Sequence, residues 1–296
     1  MTVKGSDCSI VVKTAHREME IPYSDETLRE AVSLLEEEAA IEGDGLCKTI
    51  RKSAGVTGCI ITPLTISTAP LLLYLAMGSA GSPLYVSETK DLYKYQFNLL
   101  PLEDTDQFDL IQDKQMRNEK LGMNNERKLY EGCRVKGFEL RIMRDEEIKL
   151  KFDISSEWPP ITYPYLDIFA REGGERFNGD YVSYNINGEE LKNIYGVTLI
   201  SKKEGGTKTE LWIKRALEQS HDLPHIIDEM IITAQLLRTK YENRHFGTFR
   251  ITLKKLVLTS DETNINSSDT VIGPLRYYVA DTVSTDVFTS GMEFIA

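Results

Sequence analysis

The sequence predicts a mainly β protein with flanking helices, an α+β chain built as two tandem antiparallel β-sandwich or barrel domains. The clearest observation is residues 130–154, YEGCRVKGFELRIMRDEEIKLKFDI. Phe138, Leu140 and Ile142 fall on one face of a first strand. Ile148, Leu150, Phe152 and Ile154 fall on one face of a second, with Lys149, Lys151 and Asp153 opposite. A period of two marks a half-buried antiparallel hairpin, here turned by Arg144-Asp145-Glu146-Glu147. A second observation is order: a hairpin, a helix and further strands are read twice along the chain, which suggests an internal duplication. Third, Asn187-Gly188 and Glu204-Gly205-Gly206 place tight turns between apolar runs in the second half.

Taken in order, residues 1–45 read as an N-terminal arm with a short strand at Ile10-Val11-Val12, followed by a helix. Ser24 can cap that helix, Leu28, Ala31, Val32, Leu35 and Ala39 give its helical spacing, and Gly43 stops it. Residues 46–155 form the first β domain. It opens with two strands, 46–52 and 56–66, joined through Ser53-Ala54-Gly55. Pro70 suits a first helical turn, and 71–77 follows as a short helix, apolar nearly all round and so buried, closed by Gly78. Residues 92–100 resume a strand with Tyr93, Tyr95 and Phe97 on one face. Residues 112–128 are polar, charged and without a clear period, a long loop or mobile hairpin.

Residues 156–174 read as a linker broken by Trp158-Pro159-Pro160, whose Trp158, Tyr163, Tyr165 and Phe169 should pack against something. Residues 175–296 form the second β domain. Val182, Tyr184 and Ile186 alternate into the Asn187-Gly188 turn, and 197–201 pairs with 208–215. A helix is expected from near Asp222, with Pro224 in its first turn and Ile226, Ile227, Met230, Ile231, Ala234 and Leu237 as its stripe. Phe249, Ile251 and Leu253 lie on one face of a strand, and 275–283 with Val287-Phe288 suggest a final strand pair.

The 296 residues carry 46 Asp and Glu against 35 Lys and Arg, a net charge of −11 and a pI near 5.0. Such a chain is poorly suited to gripping phosphates, although a repelling wall can still enclose or guide nucleic acid. Cys8, Cys47, Cys59 and Cys133 form neither a CxxC pair nor a metal ladder, and read as reduced thiols made in a cytoplasm. No signal peptide is read at the start, and the apolar runs are too short to span a bilayer.

Candidate chemistry is thin. His221 and His225 have chelating spacing, but Asp222 stands where a metalloprotease needs glutamate and Pro224 intervenes. The clusters Gly43-Asp44-Gly45 and Gly205-Gly206 are turns rather than phosphate loops, no GxSxG elbow occurs, and Cys133 inside a strand pattern is a buried structural thiol. Lys202-Lys203, Arg250 and Lys254-Lys255 give local positive charge that suits a phosphate-contacting patch or, better on a chain of net charge −11, acidic surfaces on another subunit. The reading is therefore of a structural protein, not an enzyme, with no cofactor and no metal.

From Gly58 to Ile154 the order of features resembles a phage tail tube protein of the siphophage type. Residues 60–66 (IITPLTI) look like the strand before that family's short helix, and 71–78 look like the helix itself. Residues 92–99 (LYKYQFNL) and Phe108-Asp109-Leu110-Ile111 look like the next strands. Gly132-Cys133-Arg134-Val135 leading into Phe138-Glu139-Leu140 is similar to the family's glycine–cysteine–x–valine … phenylalanine–x–leucine strand, with 148–154 as its partner. The resemblance covers about a third of the chain.

It implies homo-oligomeric rings stacked into a hollow virion tail, made in a host cytoplasm, through which DNA passes without specific binding. The implied partners are further copies of the chain and other tail proteins, with no membrane. Two tube domains per chain imply a ring of three chains, preferred here over six. The expected inter-ring contacts are Gln112, Lys114, Arg117, Glu119, Lys120, Glu126, Arg127 and Lys128, together with the N-terminal arm. The lumen candidates are Glu139, Asp153, Asn185 and Glu189, although Arg141, Lys149 and Lys151 share one of those surfaces. Related readings are a terminator, a distal adaptor, an injection-system tube or a domesticated gene transfer agent. A β-sandwich hydrolase or carbohydrate-binding protein would need clustered carboxylates or an aromatic platform.

Overall fold

Side chains alternate between interior and solvent along most of the chain, and the backbone follows as strands. The structure, a computed structural model, describes residues 8–15, 18–37, 48–80, 84–87, 92–118, 122–163, 174–216, 223–236, 247–261 and 271–290. In chain order the strands are β1 (Cys8–Lys13), β2 (Glu18–Ile21), β3 (Asp25–Glu26), β4 (Arg29–Glu37), β5 (Lys48–Pro63), β6 (Gly78–Ala80), β7 (Leu84–Ser87), β8 (Leu92–Leu99), β9 (Phe108–Asn118) and β10 (Gly122–Met143). There follow β11 (Lys149–Ser156), β12 (Ile161–Thr162), β13 (Val182–Ile186), β14 (Glu189–Leu191), β15 (Ile194–Lys202), β16 (Lys208–Ala216), β17 (Ile226–Gln235), β18 (Thr248–Asp261), β19 (Val271–Val279) and β20 (Val283–Ser290). Among the described residues one α-helix occurs, α1 (Ala69–Met77). The protein is thus mainly β and antiparallel, with one short helix.

The chain divides into two compact units, each drawn from three separated segments. Unit 1 comprises Met1–Ile60, Gln107–Arg134 and Asp153–Ala170; unit 2 comprises Ile61–Asp106, Val135–Phe152 and Arg171–Ala296. In unit 1 the strands lie in the order β2–β1–β9–β10–β12, all antiparallel. Ile10, Val12, Met19, Leu110 and Tyr130 are buried there. A second ladder in this unit pairs β4 with β5.

Unit 2 is organised around β18. One edge of that strand pairs along its length with β17, which leads on to β13 and β14. The other edge changes partner. Residues 248–253 pair with β20, and 256–261 pair with β19. Lys255 sits between them at φ 53, and backbone bonds from Ala280 to Lys255 (2.8 Å) and from Lys254 to Thr282 (3.1 Å) hold the β19–β20 connection at the junction. From there one branch runs β19–β16–β15–β10 and the other runs β20–β8, with β6 and β7 both on β8. Leu140, Leu199, Leu211, Tyr277, Phe97 and Ile251 are buried along these strands. Each such aliphatic side chain contributes about 1.5–3 kcal/mol by leaving water. Phe177 meets Phe249 edge-on at 4.9 Å.

Helix α1 forms as its sequence dictates. Proline occupies its first turn, Gly78 ends it at φ 103, and eight of its nine residues are buried. Tyr74 is the exception, and its hydroxyl hydrogen-bonds Asp106. The helix packs on β6, β8 and β20.

Several expectations are corrected. The helix expected over Leu28–Ala39 is strand β4 as far as the described residues reach, and Ser24 lies in a bend rather than at a cap. The helix expected from Asp222 is strand β17 over its described part, so among the described residues the flanking helices reduce to α1. The repeated order of elements loses one of its two helices with it. Residues 48–63 are one strand, with a bulge at the place of the expected turn. Of the two alternatives for residues 112–128, the hairpin holds and the loop does not: they form the distal part of the registered ladder β9–β10. Within 156–174, β12 pairs with Lys128 and Leu129, and Trp158 stands 60% exposed rather than packed away. Tyr165 and Phe169 lie outside the described residues. The last two strands do not pair with each other but share β18.

Candidate assembly surface

The β9–β10 hairpin carries most of the residues expected to make contacts between rings. Its ladder runs continuously from Leu110–Tyr130 out to Asn118–Gly122. Strand β1 covers β9 only as far as Lys114, so among the described strands residues 115–118 and 122–125 pair with each other alone. A bare two-stranded ribbon is marginal in water and gains from further contact.

The base of the hairpin is fixed by polar side chains placed opposite one another. Tyr130 donates its hydroxyl to Gln112 Oε1 at 2.8 Å, and Gln112 is buried. Arg127 is the register partner of Asp113 and binds its Oδ2 through Nε (2.7 Å) and Nη2 (2.6 Å), with both side chains less than 15% exposed. Gln112 and Arg127 are thus engaged inside unit 1. Lys128 is half-buried with Thr162 as its register partner, while Lys114 and Glu126 are register partners further along the ladder. Arg117 pairs with Met123, and Glu119 and Lys120 lie outside the described residues. Arg127→Ala leaves the Asp113 carboxylate without its cation and two hydrogen bonds, and a loss of about 1–3 kcal/mol in urea unfolding is expected. An unchanged midpoint would show that water replaces the guanidinium without cost.

The lumen candidates fall in different settings. Glu139 is half-buried on β10 with Ile200 as its register partner, and on the same face Arg141 binds Glu146 at 3.1 Å. Asn185 accepts the Gly188 N–H at 2.9 Å and closes the β13–β14 turn. Glu189 is exposed on β14. Asp153 is exposed on the part of β11 that belongs to unit 1.

What the sequence missed is a row of side chains on the outward face of unit 2. Ile226, Val257, Tyr278, Glu210 and Ile200 are successive register partners across β17, β18, β19, β16 and β15. Ile226, Val257 and Tyr278 are 63%, 41% and 40% exposed. Beside this row Trp212 donates to Glu210 Oε2 at 3.1 Å, and the Arg276 guanidinium lies 4.4 Å from the indole centre. A sugar-stacking platform needs that indole face open. The missing signal was density of β-branched residues: five of residues 226–233 are Ile or Thr, which favours a strand over a helix.

Burial pushes the Cys133 thiol up to about 12, which leaves it without nucleophilic thiolate. His225 is exposed and His221 lies outside the described residues. Among the described residues no three metal-binding side chains cluster, and no described helix is long and apolar enough to cross a membrane. Comparison with known protein families and with curated proteins finds no match to this chain.

Proposed function

We propose that this chain is a structural subunit that closes into rings and stacks into a hollow tube of the phage tail type, conducting DNA through a polar and acidic lumen. The observation that carries the reading is the succession of elements from Lys48 to Ser156. A long strand is followed by a short buried helix, then by the short β6 and β7, by β8, by the β9–β10 hairpin and by a tight turn into β11. This order supports the resemblance to siphophage tail tubes read over residues 58–154, from whose pattern residues 112–128 depart. The end of β9–β10, which among the described strands pairs only with itself, supports it further, because a neighbouring ring gives such a ribbon something to pair with.

On this reading the protein is made in a host cytoplasm, functions in the virion tail and works with other tail proteins. The net charge of −11 per chain discourages phosphate from sticking as it passes. Two tandem tube domains per chain make a ring of three, and one makes a ring of six. In unit 2, strands from before and after residue 155 pair side by side, β8 with β20 and β10 with β15. That arrangement speaks against a module boundary at residues 156–174, while a chain of two modules, as its two compact units allow, still closes as three copies. Negative-stain imaging of the purified chain tests the proposal. Stacked rings are expected, and mass measurement of one ring gives the copy number. Single unstacked rings would redirect the assignment to a terminator or adaptor, and a monomer at every concentration would overturn it.

A further inference from the structure

We propose that the outward face of unit 2, where Ile226, Val257 and Tyr278 line up, Glu210 follows bound to Trp212, and Lys202 and Lys208 lie beyond it, receives an acidic patch of a second copy of this chain. The inference rests on the ring-forming reading above and names the surface by which copies meet.

Two observations independent of one another point to the same face. The first is apolar. Three strands present Ile226, Val257 and Tyr278 to solvent as adjacent register partners, on a sheet whose opposite face holds the buried core. Single exposed apolar residues are ordinary, but a contiguous row across neighbouring strands marks an interaction site. The second is electrostatic. Lys202 and Lys208 are exposed and directly opposite one another on β15 and β16. Like charges so placed repel. Among the described residues neither meets a carboxylate, and Glu204 in the intervening turn binds Lys136 at 3.2 Å instead.

An apolar strip bordered by unneutralised cations has the make-up of an interface core and its rim. The occupant follows from charge. The lysine pair sits on a chain of net charge −11, so the remainder of any second copy is a predominantly acidic surface. A nucleic acid fits less well, because its phosphate backbone offers no apolar surface to cover Ile226, Val257 and Tyr278.

The test uses the full chain, wild type against Lys202→Glu/Lys208→Glu and against Val257→Asp, followed by sedimentation velocity and negative-stain imaging. Both variants change exposed positions, and circular dichroism checks that they fold. At low salt the lysine double variant is expected to need at least about tenfold more protein to assemble. Wild-type assembly is expected to weaken as salt rises from about 0.05 to 0.5 M. Wild-type rings that ignore salt, or folded variants that assemble at the wild-type concentration, overturn this surface and leave the tube reading standing. Variants that assemble normally but lose retention of a double-stranded DNA fragment also overturn it, by assigning the lysines to phosphate. A wild-type chain that never assembles overturns the tube reading and this inference with it.

Discussion

Gly55→Ala is expected to destabilise the protein by about 3 kcal/mol or more, among the largest effects of any single methyl group in the chain. Gly55 lies in a bulge of β5. Glu30 faces Val56 and Val32 faces Ser53, so Ala54 and Gly55 together oppose Ala31. The extra residue is accommodated at φ 109, where an L side chain is strained. A Cβ at this position would also stand 2.0 Å from the Ser156 carbonyl oxygen and 3.0 Å from the Glu157 carbonyl carbon. Both are backbone atoms, which cannot swing aside as a side chain does. Gly205→Ala is the control. Its φ of 72 is similarly left-handed, but nothing lies within 4 Å of the added carbon, and a cost of about 1 kcal/mol is expected. Urea unfolding of the two variants separates steric exclusion from backbone strain. Equal, small losses would show that the segment at Ser156 yields.

The same bulge explains one limit of reading this fold from sequence. Ser53-Ala54-Gly55 has turn composition, and nothing local distinguishes a turn from a bulge. The difference is set by β4, which pairs on both sides of it. Where local pattern and tertiary demand agree, the reading succeeds. The strands of residues 138–154 alternate in burial as their hydrophobicity does. The buried helix α1 starts at proline and ends at glycine. The Asn187-Gly188 connection adopts φ 51 and 90, as a two-residue hairpin requires, and Asn187 Oδ1 accepts the N–H groups of Asp228 and Glu229 to tie it to β17. Where two periods fit, the reading fails. Ile226, Ile227, Met230, Ile231 and Ala234 satisfy a helical stripe, yet Met230, Ile232 and Ala234 satisfy a strand equally well, and pairing with both β13 and β18 decides the matter.

The candidate site was less legible than the fold, for a physical reason. Tyr278, Val257 and Ile226 stand 21 and 31 residues apart in sequence and meet only through strand register. No local pattern encodes such a row. The charged distal hairpin was visible as composition, but its ladder was not, because Lys114, Arg117, Glu126 and Arg127 break the alternation that marks a strand. The Asp113–Arg127 pair, which makes that charge compatible with a sheet, shows only once the two strands are in register.

Lys203→Met is expected to stabilise the protein near neutral pH, by about 2–3 kcal/mol, and to lose that advantage in alkali. Lys203 follows β15 and its backbone N–H donates to the Lys136 carbonyl at 2.8 Å. The residue is 1% exposed, and its Nζ has no hydrogen-bond partner among the described residues. Burial lowers its pKa from 10.5 to about 8. The direction of the pH effect follows. Below pH 8 the amine is protonated in both folded and unfolded chains, so the folded state bears the full cost of a desolvated ammonium. Between pH 8 and 10.5 the folded chain binds fewer protons than the unfolded one, and stability gains with rising pH. Above 10.5 both are neutral and the cost is gone. A shift of this size corresponds to about 3 kcal/mol. Methionine has a similar length, can fill the same irregular space and brings no charge. Other groups titrate in the same range, so the informative quantity is the difference between variant and wild type, taken from urea unfolding at pH 7 and at pH 10.5. That difference is expected to be large at the first and close to nothing at the second. A variant less stable at pH 7, or an advantage undiminished in alkali, would show that the lysine is held by a partner that offsets its burial.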